Sequence, residues 1–284
     1  MKNCPTCSVL CKIAKVQNTV HIYSCRNCHM VFAHDQTDRI ETEIIDTNPD
    51  FYEATINGFD LQVEMARRIL PARIKEYESL LGRKLKNVLE VGCGVGAYAA
   101  AYNECNIRYT AVEIEPEIAR HAREKTQADI RCEDFADFVP DVEYDVVFAS
   151  QVLEHVREPK PFLENVRQVS PNGLLHLDVP NHNSVVAMAR KLFSRSEYGF
   201  IQPPHHMLAY TAQSMKYLLS DNGFHEIEVI AHRNDHPVWG QLIASSSLSS
   251  KVIYYFAGML GRGSLLMALA RIKKREYSQV NVQS

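Results

Sequence analysis

Four of the eight cysteines stand in two CxxC pairs near the start of the chain, a spacing typical of thiolate metal ligands. Cys4 pairs with Cys7, and Cys25 pairs with Cys28. In a reducing compartment, paired thiols on tight turns are metal ligands more often than disulfide partners. Four thiolates close a tetrahedral shell around Zn²⁺ and leave no position for water, so the sequence predicts a structural zinc. Redox-active pairs are the alternative, which the absence of a surrounding βαβ pattern disfavours, and His29 is disfavoured as a ligand because it directly follows Cys28.

A glycine-rich segment, VLEVGCGVG, contains Gly92, Gly94 and Gly96 between an apolar strand and an alanine-rich helix. Glycine has no Cβ, so the chain can turn tightly at the end of the strand and approach a ligand closely. Such loops bind nucleotide-containing cofactors, and on the loop alone NAD and FAD compete equally with other cofactors.

The elements that position these residues follow from the hydrophobic pattern. Residues 1–34 predict a ribbon with short strands at KIAKV and VHIYSC, and residues 35–85 a linker and lead-in helix. That helix is predicted from Phe59 to Leu81, with Pro71 breaking or kinking it. Residues 86–284 alternate apolar strands with helices, which predicts an α/β domain with a doubly wound, mostly parallel sheet covered on both faces. An insertion over 180–210 is too long for a turn and predicts a lid.

Length, charge and the first residues limit the class of protein. A chain of 284 residues can bury one α/β core and still carry a small accessory module. The net charge of -3 argues against a protein built around a strong nucleic-acid field. Cysteines stand where a signal peptide would be apolar, so we expect a cytoplasmic protein. The apolar segment 252–272 has the length of a membrane span, but Arg262 at its centre predicts two shorter elements.

The glycine loop and three further motifs resemble those of the class I S-adenosylmethionine-dependent methyltransferases. The motifs are YTAVEIEPE, RCEDF and YDVVFASQVLEHV, in that order, each at the end of a predicted strand. The resemblance covers roughly Lys86 to Arg271 and implies a Rossmann-like, seven-stranded sheet. More narrowly, CRNCHMVF resembles the ribbon of bacterial methyltransferases that act on sugars, polyketides or cell-surface glycans. Sugar C-methyltransferases share this layout but are longer, and the lack of a counterpart to their C-terminal domain disfavours C-methylation.

The resemblance assigns roles to residues at the strand ends. It implies that Glu90 faces the amino-acid part of the cofactor, Glu113 holds the ribose hydroxyls, and Asp134 accepts from the adenine amino group. The predicted cofactor-binding set is Glu90, Gly92, Cys93, Gly94, Gly96, Glu113, Ile114, Asp134, Phe135 and Ser150. The alternatives are that Glu113 caps a helix and that Asp134 is a solvated turn residue.

Three histidines are candidates for removing a proton from the acceptor, because neutral imidazole is a base near physiological pH. In the related enzymes a histidine four residues before an aromatic residue and a Thr or Ser recurs. His206, with Tyr210 and Thr211, matches that pattern, and Thr211 is predicted to be the N-cap of the next helix. We rank His206 before His155 and His155 before His205. The alternative is that these histidines order the lid or cap a helix.

The sequence therefore predicts methyl transfer to a small-molecule acceptor, with a hydroxyl of a sugar, a glycan precursor or another secondary metabolite favoured. A zinc-ribbon RNA base methyltransferase is the rival, disfavoured by the acidic balance and by the lack of an Asn/Asp-Pro-Pro-Tyr type loop. A non-catalytic binding module is the other class, disfavoured by the intact cofactor acids. Oxygen, nitrogen and carbon acceptors and the oligomeric state stay open at this point.

Overall fold

Two sheets organise the chain. The computed structural model describes residues 1–17, 19–35, 56–193, 198–203, 205–232 and 262–272. The described residues form a five-stranded antiparallel sheet and a seven-stranded mixed sheet. The smaller sheet carries the cysteine pairs, and the larger one carries the glycine loop.

The smaller sheet confirms the two predicted ribbon strands and adds others. Its ribbon strands are β1 (Lys2–Asn3), β2 (Leu10–Gln17), β3 (Val20–Ser24) and β4 (Val31–Asp35). The fifth strand is β10 (Leu208–Ala209), which comes from the predicted insertion and pairs antiparallel with β4. The ribbon sheet is therefore completed by a segment that lies far away in sequence.

Helix α1 (Phe59–Leu81) has the predicted bounds and continues through Pro71, so the helix is not broken there, and the predicted alternative of a kink stays untested. Its buried residues Val63, Ala66 and Leu70 share one face and pack in a core with the alanines of the next helix. Such packing outweighs the loss of one backbone hydrogen bond at proline. The helix ends at Gly82, which has a positive φ and donates its N–H to the Glu78 carbonyl at 2.9 Å.

The larger sheet confirms the predicted doubly wound, mostly parallel α/β fold. Its strands are β5 (Asn87–Val91), β6 (Arg108–Val112), β7 (Asp129–Arg131), β8 (Val146–Ser150), β9 (Leu174–Pro180), β11 (Phe224–His232) and β12 (Leu265–Ile272). Their order is β11-β12-β9-β8-β5-β6-β7, and β12 runs antiparallel to both of its neighbours. The chain leaves β5 toward β6 on one side and later returns to β8 on the other. A crevice forms at such a switch point, beyond the carboxyl ends of the strands.

Helices cover both faces of this sheet. They are α2 (Ala97–Tyr102), α3 (Pro116–Thr126), α4 (Pro159–Val169), α5 (Val185–Phe193) and α6 (Ala212–Asp221). One apolar core contains residues of α1, α2 and α3, and a second contains residues of α4 and α6. Helix α4 begins with a proline in its first turn, where the missing N–H costs little.

The apolar segment that resembles a membrane span in length ends as a sheet strand. Its residues 265–272 form β12, between β9 and β11, while residues 252–261 lie outside the described residues. Among the helices that the structure describes, none combines the length and the apolar character needed to cross a membrane.

Thr211 caps α6 as predicted. Its Oγ1 accepts the Ser214 N–H at 3.1 Å, and the Ser214 Oγ accepts the Thr211 N–H at 2.8 Å. We expect Thr211→Ala to lower the free energy of unfolding by about 1 kcal/mol, because an orphan helical N–H loses its acceptor. Urea unfolding followed by circular dichroism measures this. Thr211→Ser keeps the hydroxyl and serves as the control; equal stability of the alanine variant and the wild type would contradict the capping role.

Candidate active site and metal centre

The two CxxC pairs converge into one cluster. The sulfur atoms of Cys4, Cys7, Cys25 and Cys28 all lie within 4.8 Å of one another. The Sγ atoms of Cys4 and Cys28 are 3.5 Å apart, and those of Cys7 and Cys25 are 3.4 Å apart. Tetrahedral zinc with Zn–S bonds of about 2.3 Å separates its sulfurs by roughly 3.8 Å. The cluster therefore has the donor set and the spacing for one structural zinc, as predicted.

Both cysteine pairs sit on the same kind of turn. Ser8 and His29, each directly after the second cysteine of its pair, have positive φ angles of 59° and 61°. Their N–H groups donate to the carbonyls of Cys4 and Cys25 at 2.9 and 3.0 Å. His29 thus occupies the positive-φ position of its turn, and its side chain is exposed. As expected, it is not part of the ligand cluster.

The glycine loop follows β5, and each of its three glycines has a positive φ. A Cβ on Gly92 would lie 2.5 Å from Val152 Cγ2, and one on Gly96 would lie 3.1 Å from Ala122 Cβ. The overlap at Gly92 and the positive φ at both positions favour glycine over any residue with a Cβ. A Cβ on Gly94 would meet no atom within 4 Å. Gly94 thus presents bare backbone to open space, as a site for a closely approaching ligand requires.

Glu113 lies at the end of β6 and is bound to the glycine loop. Its carboxylate accepts the Gly94 N–H at 2.8 Å and the Glu115 N–H at 3.1 Å. Burial raises the pKa of Glu113 above its usual value. Because Glu115 is the N-cap residue of α3, the helix-capping alternative has a structural counterpart here. The ribose-binding role of Glu113 stays a prediction.

Glu90, in strand β5, and Cys93, in the glycine loop, are both buried. The Tyr109 hydroxyl donates to the Glu90 carboxylate, and burial raises the pKa of Glu90 to about 8. The Cys93 thiol donates to the Gly94 carbonyl at 3.7 Å, and burial raises its pKa. Both carry internal contacts, so the contact of Glu90 with a cofactor stays a prediction.

The other four predicted cofactor residues differ in their accessibility. Ile114 is 45% exposed directly after Glu113, and exposed Asp134 accepts the Ala136 N–H at 2.9 Å. Ser150 ends β8, and its Oγ has no hydrogen-bond partner within the described residues. Phe135 is 6% exposed and packs on Phe162 with ring centroids 5.2 Å apart. This core packing accounts for Phe135 without a cofactor, and its predicted contact with the cofactor stays untested.

Two of the three candidate histidines meet, together with a carboxylate that the sequence reasoning passed over. The rings of His155 and His206 lie edge to face, with centroids 4.6 Å apart. Glu154 offers an oxygen within 4.8 Å of a nitrogen on each ring. Glu154 stands in the motif VLEH beside His155, which is the signal that could have identified it. His205, by contrast, is not part of this group.

Glu154 is 1% exposed, and neither of its carboxyl oxygens has a hydrogen-bond partner within the described residues. Burial raises its pKa to about 8. A buried polar group without a partner costs free energy, so these oxygens indicate a ligand that completes the site. A carboxylate and two imidazoles are also donors that divalent cations accept, so this trio could hold an ion.

His206 has a ring nitrogen without a protein partner in the part of the chain that the structure describes. Its ring lies next to the backbone of Phe200, while Nδ1 has no hydrogen-bond partner among the described residues. Burial lowers the pKa of His206, which keeps the ring neutral near physiological pH. Nδ1 is thus available as a base or as a ligand atom.

Sequence comparison agrees with this arrangement of loop and strands. The profile of the family described as "Methyltransferase domain" matches residues 61–229, more than half of the chain. The chain belongs to this family. The predicted class of protein is therefore confirmed, and the match begins in α1, so this helix is part of the methyltransferase domain.

Individual relatives share the domain over part of their length. A ubiquinone biosynthesis O-methyltransferase of Coxiella burnetii is 30% identical over 122 residues, which are 40% of this chain and 52% of that protein. The chain thus spans about half the length of this relative. A SAM-dependent methyltransferase from Archaeoglobus fulgidus has a TM-score of 0.50 at 17% identity, covering 72% of this chain and 94% of that one. The plantazolicin methyltransferase in complex with SAH has a TM-score of 0.53 at 16% identity, covering 80% and 92%.

A buried polar chain in the methyltransferase domain was absent from the sequence reasoning. Tyr77 of α1 is hydrogen-bonded to His176, whose Nε2 lies 3.5 Å from Asp178 Oδ2 in β9. Asp178 is the register partner of Ser150, so the chain joins α1 to the strand ends near the crevice. All seven residues of β9 are buried, so the strand has no alternation of buried and exposed positions that would single out His176 and Asp178.

The cysteine cluster generates a metal prediction. We expect about one zinc per chain in freshly purified, reduced protein, because four thiolates form a single closed site. Cys25→Ser should lose the zinc and lower the melting temperature, since metal binding stabilises so small a module. Elemental analysis and thermal unfolding report both effects. Cys132→Ser changes an exposed cysteine outside the cluster and should keep the metal; wild-type protein without zinc would refute the site.

Proposed function

We propose that this protein transfers a methyl group from S-adenosylmethionine to a hydroxyl of a small-molecule acceptor, with a sugar or glycan precursor as the preferred class. The observation that carries the proposal is the glycine loop at the switch point. There, Gly94 presents open backbone, and a buried carboxylate, Glu113, holds the loop at the neighbouring strand. This is the arrangement that nucleoside-containing ligands require in doubly wound sheets.

Four groups around the crevice suit the parts of such a cofactor. Glu113 is the carboxylate for the ribose hydroxyls, and exposed Ile114 beside it supplies apolar surface for the adenine. Asp134 is an exposed acceptor for the adenine amino group, and Ser150 has a hydroxyl still to be paired. When bound, the sulfonium supplies an electrophilic methyl group, so the chain's own residues need to align the acceptor and remove its proton.

His206 is our candidate for that proton transfer. Its Nδ1 has no hydrogen-bond partner among the described residues, and His155 and the buried Glu154 lie beside its ring. The Glu154 carbonyl accepts the Leu208 N–H at 3.3 Å, which holds the two segments of the trio together. The name of the Coxiella relative, an O-methyltransferase, supports oxygen as the acceptor atom.

Glu113 tests the cofactor site. Glu113→Ala should weaken binding of S-adenosylhomocysteine by at least about tenfold, because a charge-assisted, two-oxygen contact is lost. Since burial raises the pKa of Glu113, wild-type affinity should begin to fall at a higher pH than for an exposed glutamate. Calorimetry measures the affinity, and thermal unfolding shows whether the variant is folded. Glu117→Ala is the control, because it removes an exposed carboxylate from the first turn of α3. Unchanged affinity in folded Glu113→Ala would contradict this ribose site.

His206 tests the reaction. We expect His206→Ala to lower kcat by about a hundredfold, the usual scale for a general base, with little change in cofactor affinity. The wild-type rate should fall as pH drops through the His206 pKa, which burial places below the ordinary value for histidine. Labelled S-adenosylmethionine and mass spectrometry of candidate sugars and glycan precursors measure turnover and locate the methyl group.

His206→Gln is the matched variant, because it keeps a polar side chain but has no ionisation in this pH range. It should remove the acidic limb of the profile. A raised KM with an unchanged pH profile would mean that His206 orders the insertion instead. Loss of activity with a chelator that leaves the cysteine-bound zinc in place would assign the trio to a divalent cation.

A further inference from the structure

A cavity of about 500 Å³ lies between the zinc ribbon and the methyltransferase domain. One wall is the ribbon, from the start of the chain and from β4. The other wall is the beginning of α4 together with Met207 and Leu208 of the insertion. A volume of this size is within the range of sites that bind small ligands. We call this space the ribbon cavity.

Three cations line the ribbon cavity in a protein that is negative overall. Lys2, Arg157 and Lys160 face it together with two negatively charged groups, the Glu158 carboxylate and the Cys4 thiolate of the cysteine cluster, whereas the whole chain carries a net charge of -3. Lys2 Nζ donates a hydrogen bond to His34 Nε2 at 3.1 Å. The histidine that accepts this bond is neutral, so it does not compensate the positive charge of Lys2.

Lys160 has a carboxylate partner outside the cavity. Its Nζ lies 3.4 Å from Asp221, in a pair whose two side chains are partly exposed. Exposed pairs of this kind are weak, so an anion in the cavity can compete for the lysine. The cations thus come from both walls, the ribbon and the start of α4.

The same chain segments form the cavity and the catalytic trio. Arg157 follows His155 by two residues, and Met207 directly follows His206. The Ala33 N–H donates to the Met207 carbonyl at 2.8 Å, which joins the ribbon wall to the histidine segment. A molecule held in the cavity is therefore adjacent in structure to the groups proposed to activate the acceptor.

We propose that the ribbon cavity binds an anionic phosphate group of the acceptor, so that the zinc ribbon forms part of the substrate site. The inference rests on the proposed function and adds the class of acceptor, a phosphorylated or nucleotide-linked molecule. Lys2 and Arg157 bind the phosphate oxygens from the two walls, the guanidinium by a two-pronged contact. Phe32, Met207 and Leu208 supply apolar surface for the rest of the ligand.

Binding of UDP and glucose 1-phosphate to the full-length, zinc-loaded protein tests this, with uridine and glucose as their uncharged counterparts. Calorimetry should detect both phosphates, with affinities that fall as salt is raised, and no comparable binding of the uncharged molecules. The tighter of the two phosphates shows whether the nucleotide or the sugar phosphate is the preferred form. Equal binding of uridine and UDP, or binding of neither phosphate, overturns the proposal.

Charge reversal locates the binding. Arg157→Glu and Lys2→Glu should each weaken the phosphate probes by about tenfold or more, a loss of about 1.4 kcal/mol. Lys12→Glu makes the same change at an exposed ribbon lysine outside the cavity and should have no effect. Because Lys2 is exposed, its variant tests the cavity even where Arg157→Glu fails to fold. The assignment is overturned if phosphate affinity is unchanged in Lys2→Glu and in folded Arg157→Glu. It is also overturned if single-stranded RNA outcompetes the phosphates on the wild type and the same two variants weaken RNA binding equally.

S-adenosylhomocysteine titrations on the same samples separate the two proposals. Wild-type protein that binds S-adenosylhomocysteine but neither phosphate refutes the ribbon cavity alone. Wild-type protein that binds the phosphates but not S-adenosylhomocysteine refutes the proposed methyl transfer and leaves an anion site. Cofactor affinity should be the same in Lys2→Glu and in the wild type, since this lysine belongs to the ribbon.

Discussion

The turn at Gly92 is the constraint on which the candidate site depends. Its N–H donates to the Val112 carbonyl at 2.8 Å, while a side chain there would overlap Val152. The ends of β5, β6 and β8 can therefore converge only if this position lacks a Cβ and adopts a positive φ. Convergence brings Glu113 to the loop and sets the start of α2 over the crevice. Any methyl-transfer chemistry in this fold requires these strand ends to stay together.

The zinc ribbon is more than an appendage, because two contacts connect it to the segments that carry Glu154 and His206. Strand β4 pairs with β10, and β10 is bound in turn to the Glu154 carbonyl. A module of about 35 residues is too small to bury a core of its own, so zinc supplies the stability that packing cannot. Metal binding in the ribbon thereby stabilises the segment that carries His206. Coupling of this kind gives a structural zinc an indirect effect on catalysis without placing it at the reaction.

Buried polar groups in the domain differ in how far hydrogen bonds compensate for their removal from water. The Tyr77–His176 hydrogen bond provides part of this compensation and fixes α1 against the sheet, although His176 Nε2 has no hydrogen-bond partner within the described residues. Glu154 has no such compensation for either oxygen within the described residues. Folded proteins tolerate that cost mainly where a ligand or ion completes the site. The difference is one of degree, and Glu154, which lacks a partner for both oxygens within the described residues, is the group for which we propose a ligand.

The sequence alone determined the features that depend on neighbouring residues. Apolar runs, the bounds of α1, the cap at Thr211, the glycine turns and the cysteine spacing are local, and backbone sterics make their structure predictable. Tertiary structure decided what depends on distant pairing. The β4–β10 pair, the continuation of α1 through Pro71, the burial of Phe135 and the meeting of Glu154 with His206 are examples. No local pattern encodes them, because each arises when segments far apart in sequence pack together and packing outweighs local preference.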